Sequence, residues 1–194
     1  MMSFLATPEP TPEAQRLFDE DIAELGYPMN SSRLWAYQPA TGAGLFDLMR
    51  VATTDHRLDV RQRGILVAAC ASALGDSYCS LMWGTRLAAA SDATTAAGVL
   101  HGDDDELSAA ERAMAGWARK VARDPNGTSA ADVQVLRDAG FADDQIFAIT
   151  VYVALRIALS TVNDALGVRP DAQLKSTVPA AVLDAVTYGR PIAD

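Results

Sequence analysis

Residues 61–90 read RQRGILVAACASALGDSYCSLMWGTRLAAA, and the way this stretch divides decides the fold. Asp59 followed three residues later by Gln62 is a capping signal for a helix over VRQRGILVAACASAL, which Gly75 closes. A second helix is expected from about Asp76 to Ala90, with the aspartate, a strong N-cap residue, at its start. Two apolar helices meeting at one glycine make an α-helical core.

The same signals extend along the chain. TPEAQRLFDEDIAELG opens with Thr11 as N-cap and Pro12 at the first helical position, and it ends on Gly26. Ala14, Leu17, Phe18, Ile22 and Leu25 fall at helical spacing and predict one buried stripe. SSRLWAYQ and GAGLFDLMRVA read as two shorter helices. Ser108 with Glu111 forms a capping box, DPNG at 124–127 is a turn, and SAADVQVLRDAG is a short helix ended by Gly140. A long helix follows from roughly Asp143 to Leu166, and a last one over Val178–Tyr188 stops at Gly189. The expectation is all-α: a single domain over 1–194, with N-terminal helices in 1–55, the paired apolar helices in 56–100 and further helices in 101–194. From Ile146 to Leu159 the long helix is apolar almost all round, which predicts burial on every side, in part against a second copy in a homo-oligomer.

Composition narrows the function classes. The chain has 194 residues, is 49% hydrophobic and carries a net charge of −9, so it lacks the basic surface that nucleic acid requires. Two cysteines make no disulfide framework, and the first residues lack the basic and apolar regions of a signal peptide. IFAITVYVALRIAL is shorter than the ~20 residues of a membrane span and is interrupted by Arg156, so a cytoplasmic protein without a membrane partner is expected. DDDE at 103–106 reads as a solvated loop, and His56 and His101 as loop-edge residues. No metal spacing, phosphate loop or cofactor motif is present, and none of these groups is expected.

The stretch 61–90, continued by LSAAERAMAGWARKVARDPNGTSAADVQVLRDAGFADDQI and NDALGVRPD, resembles the alkylhydroperoxidase AhpD-like and carboxymuconolactone decarboxylase superfamily, in particular its peroxidase-related branch. With the N-terminal segment the likeness covers most of the chain. It implies an AhpD-like helical bundle, oligomeric, with peroxiredoxin-type antioxidant activity. Active members carry a glutamate, a Cys-x-x-Cys pair and a histidine four residues beyond the second cysteine. One thiolate then attacks a peroxide, the other resolves the sulfenic acid, and the glutamate and histidine relay protons.

On this chain the glutamate position falls on Gly64, the first cysteine on Asp76, the second on Cys79 and the histidine on Trp83. A frequent Asn-Arg pair near the end of the long helix reads Ser160–Thr161. Two-cysteine turnover is therefore not expected, and Cys70, within LVAACASAL, reads as a buried structural thiol. For Cys79 two influences compete: a helix start favours the thiolate, and Asp76 one turn earlier disfavours it. One reading is a one-cysteine thiol peroxidase using an external reductant on a peroxide. Another is a non-catalytic binding protein in which Tyr78, Cys79, Met82 and Trp83 line an apolar pocket for a small hydrophobic ligand. A third, a decarboxylase or isomerase acting on a small lactone or keto acid, needs polar groups from outside this helix. Trp83 is expected to occupy the space of the histidine and dry the site.

Overall fold

Helices account for all the regular structure among the described residues, 2–54 and 56–194 of the computed structural model. They are α1 (Pro12–Leu25), α2 (Asn30–Trp35), α3 (Pro39–Thr54), α4 (Val60–Leu74), α5 (Ser77–Ala90), α6 (Ala93–His101), α7 (Ala109–Arg123), α8 (Ala130–Asp138), α9 (Asp143–Ala165), α10 (Leu174–Thr177) and α11 (Ala180–Ala185). A single 3-10 turn, Pro125–Gly127, joins α7 to α8. Asp55, where the first of the three sequence segments ends, lies outside the described residues, as does Met1. The all-α expectation holds.

At the centre lies α4, buried without a break from Gly64 to Ala71 and packed against α5, α6, α7 and α9. Its small side chains permit that crowding: a Cβ on Gly64 would sit 3.1 Å from the Leu87 Cβ of α5. The Asp59–Gln62 box closes in both directions, with Asp59 accepting from the Gln62 amide at 2.8 Å and the Gln62 side chain accepting from the Asp59 amide at 3.1 Å. At the other end Gly75 adopts a left-handed conformation (φ 74°). The chain reverses there so that Asp76 caps α5 directly.

Three expectations need correction. On α1, Ile22 is 47% exposed and the buried positions are Ala14 and Asp21, because the Asp21 carboxylate turns inward to accept the Met29 amide at 2.9 Å. Helix α6 was not anticipated; its start is fixed by Asp92, whose side chain accepts from the amides of Thr94 and Thr95. The C-terminal helix is not one piece over 178–188: α11 ends at Ala185, and Gly189 (φ 71°) packs over the Gly75 turn. Within the single chain, α9 leaves Phe147 72% exposed, and its buried residues form one broad face that includes the polar Arg156, Ser160 and Asn163. By length and composition α9 is apolar enough to cross a bilayer, and here it serves as a core helix against α3, α4 and α7. Within DDDE, Asp104 does more than meet solvent, since it holds Arg119 at 2.6 Å.

Because nothing lies within 4 Å of a Cβ built on Gly75, substitution there meets backbone strain alone. Gly75→Ala is expected to lower unfolding free energy by about 1 kcal/mol and Gly75→Asn by less, since asparagine tolerates the left-handed region. Paired urea titrations of the two variants measure the difference.

Candidate active site

Asp76 and Cys79 stand one turn apart at the start of α5, and Arg156 and Ser160 stand one turn apart on α9. The two pairs meet in the interior. Asp76, with no exposed surface, accepts the Cys79 amide on Oδ1 at 2.9 Å and takes the Ser160 hydroxyl on Oδ2 at 2.5 Å. The Cys79 Sγ accepts from Arg156 Nη2 at 3.3 Å and lies 3.8 Å from Ser160 Oγ. The expectation that Asp76 caps its helix is met, and the same carboxylate also grips α9.

Arg156 is only 5% exposed, yet its hydrogen-bond acceptors are both sulfur: Cys79 Sγ and, at 3.9 Å, Met49 Sδ. Among the described residues it enters no salt bridge, and its Nε has no partner. The Trp83 ring supports the charge instead, with the guanidinium carbon 5.2 Å from the ring centroid and that of Arg86 at 5.0 Å. Burial works against the Arg156 charge; at the alkaline pH where Cys79 and Tyr152 are themselves ionised, their charges together with that of Asp76 outweigh burial and raise its pKa. Burial and the Asp76 charge push the Cys79 thiol up, with Arg156 opposing, so the resting sulfur is a neutral thiol. Burial likewise pushes Cys70 up to about 12, and the two cysteines are both free.

Beside the sulfur lies a cavity of about 320 Å³. Tyr78, Cys79, Met82 and Trp83, expected to line a pocket, all line it, joined by Trp35 and Phe46 from α2 and α3 and by Arg156, Leu159 and Asn163 from α9. Its wall is not purely apolar, for Glu20, Asp21, Glu24 and Arg86 also contribute. Trp83 borders this space without filling it. Hydrogen bonds stiffen the walls: Trp35 Nε1 donates to Asn163 Oδ1 at 3.0 Å, and Tyr78 donates to Asp171 Oδ2 at 2.5 Å. At about 30 Å³ per water in the liquid, the volume suits a small organic molecule.

Gly64 does not take part. It packs on Leu87, so a glutamate cannot be restored there without parting α4 from α5. His56 lies 3.9 Å from Asp144, His101 ends α6, and neither lines the cavity. Among the described residues no group of three or more His, Cys, Asp or Glu is gathered to hold a metal. Reading by motif position missed Arg156 and met Ser160 only as a departure from the frequent Asn-Arg pair. The signal available was a lone charge within an apolar helix, with a hydroxyl one turn on.

No protein-family model and no curated protein matches the chain. Solved structures do. An uncharacterized peroxidase-related protein from Ralstonia eutropha JMP134, described as an alkylhydroperoxidase AhpD core, superposes with a TM-score of 0.81 at 22% identity, over 90% of this chain and 95% of that one. A peroxidase-related protein from Silicibacter sp. TM1040 gives 0.81 at 21%, over 91% and 95%. A variant of the debrominase Bmp8, in complex with 2,3,4-tribromopyrrole, gives 0.67 at 17%, over 94% and 95%. The chain thus has the AhpD-like all-α fold.

A buried guanidinium without a carboxylate lowers stability, and replacing it with an apolar side chain of similar length relieves that cost. Arg156→Met is expected to unfold at a temperature no lower than the parent chain. Gly64→Glu is expected to lose about 3 kcal/mol or more through overpacking and an unpaired buried charge. Thermal melts followed by circular dichroism test both.

Proposed function

We propose that the protein is a one-cysteine, thiol-dependent reductase of small organic hydroperoxides, with Cys79 as nucleophile and Arg156 as the group that stabilises its thiolate. The observation that carries this reading is Cys79 in the cavity wall, its sulfur 3.3 Å from a buried cation that, among the described residues, enters no salt bridge. A preorganised cation at the place where charge develops contributes most in a dry site. The fold shared with proteins described as peroxidase-related supports the reaction class.

The chemistry balances with one external reductant. The sulfur lone pair attacks the outer peroxide oxygen and the O–O bond breaks. Of the thiol and hydroperoxide protons, one ends on the departing alkoxide and the other on the sulfur-bound oxygen, giving an alcohol and a sulfenic acid. Two equivalents of a small-molecule thiol then return the sulfenic acid to thiol, releasing a disulfide and water. No second protein cysteine is needed, in keeping with a buried Cys70 held as a thiol.

A second reading is favoured by the burial and Asp76 charge that keep Cys79 neutral: the cavity binds a small apolar molecule without chemistry. The aromatic wall suits such a ligand, and a debrominase of the same fold has been captured with a bromopyrrole. Exposed Phe147 on α9 and Leu48 and Val51 on α3 support the further reading that the chain assembles with copies of itself.

Treatment with cumene hydroperoxide and a sulfenic-acid trap separates the two readings. Adduct is expected on Cys79 and absent from Cys79→Ser, unchanged by Cys70→Ser, and slowed about 100-fold by Arg156→Met. A native protein whose Cys79 forms no adduct, and reacts only after denaturant is added, overturns the peroxidase and leaves the binding protein.

A further inference from the structure

The thiol reading leaves a proton without a destination. Cys79 rests as a neutral thiol, and among the described residues no histidine or glutamate hydrogen-bonds its sulfur, yet its nucleophilic form is the thiolate. We infer that Ser160 and Asp76 form a proton relay for Cys79, in place of the bases absent at positions 64 and 83. The inference rests on the reading of Cys79 as a reactive thiol and supplies the pathway that reading requires.

Hydrogen-bond capacity sets the direction. Ser160 has one hydroxyl proton, and at 2.5 Å the Asp76 carboxylate, which can only accept, takes it. With its one proton committed to Asp76, the Ser160 oxygen has only lone pairs left for Cys79 Sγ, 3.8 Å away, a separation that must shorten for the thiol's proton to pass. In the transfer the S–H bond breaks as sulfur's proton passes to Ser160 Oγ, while the serine's own proton passes to Asp76 Oδ2. When the O–O bond of the hydroperoxide breaks, the hydroxyl proton of the transferred oxygen passes to the departing alkoxide, which leaves as alcohol, and the relay runs back to return a proton to the sulfur-bound oxygen, giving the sulfenic acid.

Net charge distinguishes this route from release to water. Asp76, Ser160 and Cys79 are 0%, 2% and 4% exposed. Loss of the thiol proton to solvent adds a net negative charge to that interior, which is costly. Transfer along the relay leaves the net charge unchanged. It neutralises Asp76, the anion that opposes the thiolate, and it places the new negative charge at the sulfur, 3.3 Å from Arg156. One separated ion pair becomes a contact pair.

The titratable groups facing this network are Cys70 from α4, Tyr152, Arg156 and Asp164 from α9, and Tyr188 and Arg190 from the C-terminal segment. Among them Asp164 has its own titration near neutrality, pushed up to about 7 by burial and the Asp76 charge. An Asp164→Asn background removes that inflection.

Alkylation by iodoacetamide reads the thiolate without any peroxide: sulfur forms a bond to carbon and iodide leaves. The experiment follows its pH dependence in the Cys70→Ser, Asp164→Asn protein. With a relay, the reactive form has the same proton count as the resting form, so the rate is flat through the neutral range. Asp76→Asn keeps an N-cap but removes the base; its rate is expected to fall about tenfold or more at neutral pH and to rise about tenfold per pH unit. Ser160→Ala keeps the Asp76 charge and is expected to show the same slope, with Ser160→Thr restoring the plateau. If Asp76 only repels the thiolate, Asp76→Asn reacts faster at every pH, and that result overturns the relay. A rising profile in the parent protein overturns it without any relay variant. A flat profile with no sulfenic acid from peroxide retains the relay and rejects the peroxidase, whereas no alkylation of the native protein rejects both.

Discussion

The fully buried Asp76 carboxylate is the constraint on which the rest of the structure depends. Left without donors, a buried carboxylate costs several kcal/mol, so the chain is organised to supply them. Its own helix gives the Cys79 amide and α9 gives the Ser160 hydroxyl, which pins the start of α5 to the C-terminal part of α9. The turn that delivers Asp76 is sealed from outside. A Cβ on Gly189 would lie 2.6 Å from the Gly75 carbonyl oxygen, and Ser77 Oγ donates to the Arg190 carbonyl at 2.7 Å. Water is thereby kept from one end of the site, while the cavity leaves the other end open to a small molecule.

Stability and chemistry pull in opposite directions around this carboxylate. Asp76 holds two helices together, and the same charge makes the nearby thiolate harder to form. Arg156 opposes that effect, and it does so from a position where its own charge is expensive. The cavity walls offset some of this cost with satisfied polar contacts: Asp171 accepts from both Tyr78 and the Asn30 amide, and Asn163 accepts from Trp35. These bonds join α2, α5, α9 and the loop after α9, so the side chains bordering the sulfur come from anchored helices rather than loops.

What the sequence disclosed and what it withheld follow from range. Caps act within four residues, and the boxes at Asp59 and Ser108, the Thr11 cap and the Gly75 stop were all legible and are all present. The Asp92 cap of α6 was of the same kind and was overlooked in a stretch rich in alanine and threonine. The fold was legible for the same reason, since helices in the right order and spacing carry it. The site was legible only on α5. Arg156 and Ser160 are about eighty positions away along the chain, and no local rule links them to Cys79; the distances 3.3 Å and 3.8 Å exist only after packing.

The residues at the four motif positions make better sense as a set than as separate losses. A histidine at position 83 would place a titratable base where the Arg156 guanidinium stacks, and that charge would depress its proton affinity. Tryptophan instead presents the aromatic face that binds cations most strongly, and it carries two guanidiniums at once. The cation fixed in the core gives the sulfur a positive neighbour, and the aspartate one turn away is tied to the same helix pair through the Cys79 amide and the Ser160 hydroxyl. Glycine at 64 then has no partner to serve and is free to bring α4 close against Leu87. The outcome is one sulfur held between a buried cation and a buried carboxylate, with α5 and α9 each supplying half of the arrangement.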